Sequence, residues 1–414
     1  MKTGQGSAAS APPDDLNDQI ARAWASLLPR ADTIADDIAF TLLEKEREYY
    51  EAAGPELRAD VRSSTREHVR RGIRTMAGLA EGKDKAIHIW RETGRRRARQ
   101  GVPMEHVLNA YSLGTRVLWE ALLDQRHDRE LGLDDRVLLT AGQRIWSALD
   151  VQNATLVDSY RRESARLQRR DQQRQQGLLD GLVEGRAADP AFAGEAREVF
   201  GLGADDAVAC AVAYFDGSLE GPLRGPEDQL ERAGIESFWH VRGGAHFGLV
   251  PIGSMPVRDL VALLEPPVAA RVGIAASTEG VAGFGTAYQL ALRAADTLPR
   301  GCHRVALVGD RLPEVLLGAS PEVTSLLVQE TVGPLLAQSP QQAQLLLETL
   351  EALLAHDGSP THAAEALFCH RNTVIYRLKH LEALTGRSLA DPRDKLLLSL
   401  GMLAVGRPGR STDP

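Results

Sequence analysis

From residue 14 to about 158, apolar side chains recur at helical spacing, as at Ile20, Trp24, Leu27 and Leu28 and again at Val107, Ala110, Tyr111, Gly114 and Leu118. Gly and Pro are sparse there, so the stretch predicts an all-helical domain. Between about 157 and 177 the chain stays helical in pattern but turns polar, with Tyr160 and Leu167 one heptad apart. Two apolar positions make a solvated connecting helix the plainer reading and a dimer-forming signalling helix the alternative. After Leu202 short β-branched or aromatic runs take over, at 208–215, 237–241, 246–251, 271–276 and 304–308, with helical patterns at 227–233, 257–264 and 286–298. Past Asp310 the pattern is helical to the end.

The middle region reads as β-α-β-β-α-β with one extra helix, the order of a ferredoxin-like α+β domain. Its two central strands meet at Arg242-Gly243-Gly244-Ala245, where paired glycines suit a hairpin. The expected organisation is a multidomain chain: a tail at 1–13, a helical domain at 14–158, a connecting helix at 159–180, an α+β domain at 181–312, a helical region at 313–405 and a tail at 406–414. A length of 414 residues agrees, being too long for one ordinary core.

Composition narrows the class. Hydrophobic residues are 43% and charged residues 25%, the balance of a soluble globular protein. No apolar run approaches the roughly 18 residues that cross a bilayer, and the N-terminus lacks an apolar signal region, so a cytoplasmic protein with no membrane partner is expected. Cys210, Cys302 and Cys369 stand apart, which fits a reducing compartment and offers no metal-site spacing. A net charge of −8 means that any nucleic-acid contact must come from a local patch.

That patch lies at the C-terminus. Ser359 is placed to cap a helix that opens with Pro360 and whose apolar face is Ala363, Ala366 and Leu367. A turn at 368–370 follows, then a second helix from about Arg371 to Leu384, stopped at Gly386. Val374, Leu378, Leu381 and Leu384 share one face of it, leaving Arg371, Asn372, Thr373, Tyr376, Arg377, Lys379 and His380 outward. From Cys369 to Lys395 six cations meet three acids, 6 − 3 = +3 on a chain of −8. A buried stripe under a cationic outer face is what a recognition helix needs to enter a major groove. An amphipathic helical hairpin with a solvated cationic face is the plainer alternative.

The run HRNTVIYRLKHLEALTGRSLADPRDK, from His370 to Lys395, resembles the C-terminal helix-turn-helix of the PucR/CdaR family of bacterial regulators. The resemblance implies that His370, Arg371, Asn372, Thr373, Tyr376 and Arg377 contact double-stranded DNA; Lys379 joins them as a cation on the outer face. Ile375 departs from the family's frequent Arg or Lys, which removes one phosphate contact. Residues 200–310 resemble the degenerate GGDEF-like domain of the same family, with Gly243-Gly244-Ala245-His246-Phe247 at the hairpin. Active cyclases carry carboxylates where Ala245 and His246 stand, to hold Mg²⁺, so neither catalysis nor a bound metal is expected. Asp216 is a strand-end aspartate that could serve as a leftover ligand but suits a turn better. Gly283-Phe284-Gly285 lacks the third glycine of a dinucleotide fingerprint, because Tyr288 stands there. Residues 94–122 resemble the N-terminal domain of RsbR-type stress-signalling proteins, a globin-like helical fold that lacks haem and serves in sensing and dimerisation. Arg95, Arg96, Arg97 and Arg99 read as a solvated helix face, with anion binding as the alternative; His68, His88 and His106 read as hydrogen-bonded or exposed, and no cofactor is expected.

Together these features predict a regulator that acts as a homodimer or higher oligomer under control of a small-molecule effector or other signal. A non-DNA signalling scaffold is the alternative, and a nucleotide cyclase comes last.

Overall fold

The computed structural model describes residues 16–80, 83–127, 133–215, 223–265 and 269–406. Its contacts divide the chain into two units, one up to Asp171 and one from Gln172 onward. The first is helical throughout its described residues: α1 (Leu16–Ala25), α2 (Ala31–Lys45), α3 (Arg47–Ala52), α4 (Pro55–Met76), α5 (Lys83–Arg99), α6 (Met104–Leu123) and the start of α7 (Asp135–Val183). The repeats at Ile20, Trp24 and Leu27 and at Val107 face inward, as their spacing requires, and join Ile34, Ile38, Val69, Ile73 and Leu122 in the interior.

Helix α7 runs unbroken for 49 residues, so the last helix of the first unit and the expected connecting helix are one element. Tyr160 packs back within the first unit, its hydroxyl donating to the Val102 carbonyl at 2.8 Å, and Ser159 donates to the Arg91 carbonyl at 2.7 Å. The C-terminal end of α7 contributes Leu178, Leu179 and Leu182 to the core of the second unit.

That core is built on one sheet: β1 (Val208–Tyr214), β2 (Phe238–Arg242), β3 (Ala245–Pro251), β4 (Val272–Ser277) and β5 (Val305–Leu307), ordered β2-β3-β1-β4-β5. β1 is antiparallel to β3 and β4, β2 is antiparallel to β3, and β5 adds in parallel to β4. Successive side chains of a strand point to opposite faces, so Val208, Cys210 and Val212 meet α8 (Pro190–Val199) and α11 (Phe284–Asp296), while Ala209, Ala211 and Ala213 meet α9 (Pro226–Arg232) and α10 (Val257–Leu264). A Cβ on Gly273 would lie 1.8 Å from the Ala291 carbonyl oxygen, so only glycine lets α11 approach β4 this closely. Gly243 and Gly244 both take positive φ, 57° and 79°, and close the β2–β3 hairpin with Arg242 opposite Ala245, the geometry for which paired glycines are suited. Gly285 has a packing role, since its Cα lies against the Leu182 carbonyl where a Cβ would come within 2.9 Å.

Seven helices complete the second unit: α12 (Leu312–Ala319), α13 (Pro321–Thr331), α14 (Gly333–Leu336), α15 (Pro340–Ala355), α16 (Pro360–Ala366), α17 (Arg371–Thr385) and α18 (Pro392–Val405). Proline opens α8, α9, α13, α15, α16 and α18, at the position where its missing N–H costs no hydrogen bond and its φ already suits a helix. Among the described residues, no helix is long and apolar enough to cross a membrane.

Candidate nucleic-acid interface

The C-terminal segment builds its site from caps and a narrow buried stripe. The Ser359 hydroxyl faces the His362 N–H at 3.5 Å at the start of α16, and His370 caps α17 by accepting from the Asn372 N–H at 3.2 Å through Nδ1. Gly386 ends α17 in the left-handed conformation, φ 66°, and Asp391 caps α18 by accepting from the Asp394 N–H at 2.9 Å. Ala363 and Ala364 of α16 pack with Leu353 of α15 and Val374 of α17, with Leu367 and Leu378 against them. Alanines let α16 cross α17 closely. One expected position is corrected here: Ala366 is exposed and Ala364 buried, because the short helix turns its second alanine toward α15. On α17 Val374 and Leu381 are buried and Leu378 and Leu384 half-buried.

Above that stripe His370, Arg371, Asn372, Thr373, Tyr376 and Lys379 are exposed. Arg377 and His380 are half-buried: Arg377 Nη1 reaches the Thr349 hydroxyl of α15 at 3.4 Å, and His380 Nε2 lies 3.2 Å from Gln342 Nε2. Two of the cations counted in the patch are tied down elsewhere. Arg387 pairs with Asp394 at 3.0 Å, and Lys395 with Asp357, whose carboxyl the ammonium holds below its ordinary range. Phe368, at the tip of the turn, is 97% exposed and takes a positive φ of 50°. Nothing in its residue type signals this; only the three-dimensional turn does.

The other candidates resolve differently. Ala245 is buried and His246 partly so, burial holding the imidazole below its ordinary value, and Asp216 lies outside the described residues. No group of three or more potential metal ligands gathers among the described residues. The arginine run of α5 is not a solvated face throughout: Arg97 is buried, donating to Asp60 at 2.6 Å and to the Ser64 hydroxyl at 2.7 Å. Arg96 also pairs with Asp60, Arg99 with Glu163 and Arg95 with Glu92, so acids already occupy the cluster. His88 is exposed; His68 is half-buried and bonded to the Ser64 carbonyl and the Thr93 hydroxyl.

A short helix crossed by a second one with a buried stripe and an exposed polar face is a helix-turn-helix domain, here at the end of a multidomain chain. Residues 346–404 match the PucR C-terminal helix-turn-helix domain, residues 184–297 the GGDEF-like domain, and residues 32–175 the N-terminal domain of the RsbT co-antagonist protein RsbRD. The chain has the architecture of PucR/CdaR-type regulators. An uncharacterized protein of Mycobacterium tuberculosis is 37% identical over 99 residues, 24% of this chain and 23% of that protein. The purine catabolism regulatory protein of Bacillus subtilis is 43% identical over 67 residues, 16% of this chain and 13% of that protein. The transcriptional activator PmfR of Paenarthrobacter nicotinovorans is 39% identical over 83 residues, 20% of this chain and 17% of that protein. This chain thus spans under a quarter of the length of each of these relatives.

Proposed function

We propose that the chain is a cytoplasmic, non-enzymatic transcription regulator that reads double-stranded operator DNA with α17, as a homodimer or higher oligomer, under control of a small-molecule signal received upstream. The observation that carries this reading is the anchoring of α17: Val374 and Leu381 fix one face in the core while His370, Arg371, Asn372, Thr373, Tyr376 and Lys379 stand in solvent on the other. In that role the N-terminal side chains reach base edges, and Lys379 and the half-buried Arg377 meet phosphates. Two copies are invoked because one such helix supplies few base contacts and paired half-sites double them.

The three-part division at 14–158, 181–312 and 313–405, joined by 159–180, belongs to the same proposal, as do a globin-like first domain and a ferredoxin-like middle one. The all-antiparallel order β2-β3-β1-β4 supports the latter. Ala245 and His246 in place of carboxylates support the absence of cyclase chemistry.

The test is binding of the purified full chain to its own upstream DNA and to random DNA across a salt series. The expected result is a preference of at least about a thousandfold, reduced in Arg371→Ala, with a salt slope near −0.9 per phosphate contact. Equal affinity for both DNAs rejects operator reading.

A further inference from the structure

Phe368 stands at the end of α16, where the Cys369 N–H bonds to the Ala364 carbonyl at 3.0 Å and the Phe368 N–H to the Glu365 carbonyl at 3.3 Å. Those two bonds make Phe368 the left-handed residue that closes a helix, a position most often filled by glycine. We propose that its ring reads DNA, seated against the C5-methyl of a thymine in the major groove beside α17. The proposal rests on the regulator reading of α17.

The ring gives the free chain nothing. A left-handed backbone is costly for a bulky residue, and Phe368 holds φ 50°. Among the described residues one other non-glycine takes positive φ, Asp357, whose short polar side chain tolerates it and pairs with Lys395. Phe368 instead is 97% exposed. The hydrophobic contact that accompanies such a helix end comes from its neighbours, since Leu367 and Cys369 pack with Leu353, Ala363 and Val374. Residues held in sparsely populated backbone conformations cluster where a protein meets its ligand.

The place of the ring points to what covers it. Phe368 lies in the turn between α16 and α17, and three peptide units link it to Arg371, so the two Cα atoms are at most about 11 Å apart. Arg371 and Asn372, both exposed, open the helix whose first side chains reach base edges. The exposed charged or imidazole side chains from 362 to 371 are His362, Glu365, His370 and Arg371, so one acid balances the one fixed cation around the ring. Phosphate attraction is therefore not what this turn adds. On the major-groove edges of the bases the thymine methyl is the apolar group, and an aromatic side chain is a fitting partner for it.

The test is fluorescence anisotropy of the full chain on its site in its own upstream DNA and on random DNA, with Phe368→Gly and Phe368→Asn beside the parent. Both substitutions suit the left-handed backbone. Their melting temperatures should equal or exceed the parent's while affinity for the site falls about tenfold. The salt slope should not move, since the ring meets no phosphate charge. Replacing the thymines of the site one at a time by deoxyuridine removes only a methyl. At one position in each half-site this should weaken the parent about three- to fivefold and leave both variants unchanged.

Melting temperatures lowered in both variants, affinity for the site unaltered in both, or a thymine scan to which parent and variants respond alike overturns the proposal. Unaltered affinity would leave a protein partner as the cover for the ring. Equal binding of the parent to its own and to random DNA sinks the operator reading and this proposal together, whereas a site preference that both variants keep in full sinks this proposal alone.

Discussion

The two helical regions of this chain put their polar chemistry on opposite sides. In α15–α17 the interior is apolar, with Leu353, Ala363 and Val374 fully buried and the cationic residues outside. In α1–α7 the interior holds Arg97, His68 and Tyr111 around a cavity, and the surface is laced with ion pairs such as Arg66–Asp36 and Arg70–Asp32. The contrast teaches that a helical region which turns its cations outward closes its core, whereas one that draws them inward leaves space within it.

The largest effect expected from this difference is a loss of packing in the closed region. Leu381→Ala should destabilise the C-terminal helices by about 2–5 kcal/mol, because a fully packed site relaxes little around a lost side chain. Denaturant unfolding followed by circular dichroism measures it, and a cost under about 1 kcal/mol would mean that this core is as loose as the other. Next come the outward contacts. Arg371→Ala and Asn372→Ala should each cost about 1–3 kcal/mol of operator affinity and relax sequence preference, while Lys379→Ala should weaken all DNA alike and lower the salt slope by about 1. Fluorescence anisotropy on operator and random duplexes separates the two kinds of loss, and no change in any of the three would remove α17 from the interface.

The asymmetry also predicts opposite responses to added volume. Ala363→Leu, at a fully buried crossing of α16 and α17, should cost about 1–3 kcal/mol by overpacking. Gly114→Leu should be neutral or stabilising by up to about 2 kcal/mol, since it fills space that exists. Melting temperatures of the two variants side by side decide the matter, and equal destabilisation of both would show that the N-terminal cavity is not free volume.

What could be read in advance follows the same division. The α17 stripe, its cap at Gly386, the Pro360 start of α16 and the Gly243-Gly244 hairpin are local features, each fixed by residues within a few positions of one another, and all were legible. Arg97 was not: its burial depends on Asp60, 37 residues away, and a run of four arginines looks solvated until that partner is placed. Ala364 against Ala366 turned on a rotation of a seven-residue helix too short for periodicity to settle. The boundary placed near residue 158 followed the change in composition, and α7 runs through it, since polar and apolar stretches propagate one hydrogen-bond ladder alike. The cavity has no sequence signature, because it is made of what seven helices fail to fill.

The smallest expected effect is also the most specific to the open interior. His68 is neutral in the fold because burial, its first cause, lowers its pKa, so the unfolded chain takes up a proton that the native chain refuses. Its contribution to stability is therefore whole above the unfolded value of about 6.5 and is lost as pH falls below it, with a slope of at most about 1.4 kcal/mol per pH unit for one proton. His246 in the middle domain is lowered by the same cause and has the same sign. Carboxylates with lowered values, such as Glu163 beside Arg99, titrate below this window. Unfolding free energies between pH 5.5 and 7.5 should flatten in part in His68→Gln and in part in His246→Gln. If His68→Gln leaves the slope untouched, the imidazole meets water in the native state, and the first unit's interior is wet from its floor to its mouth.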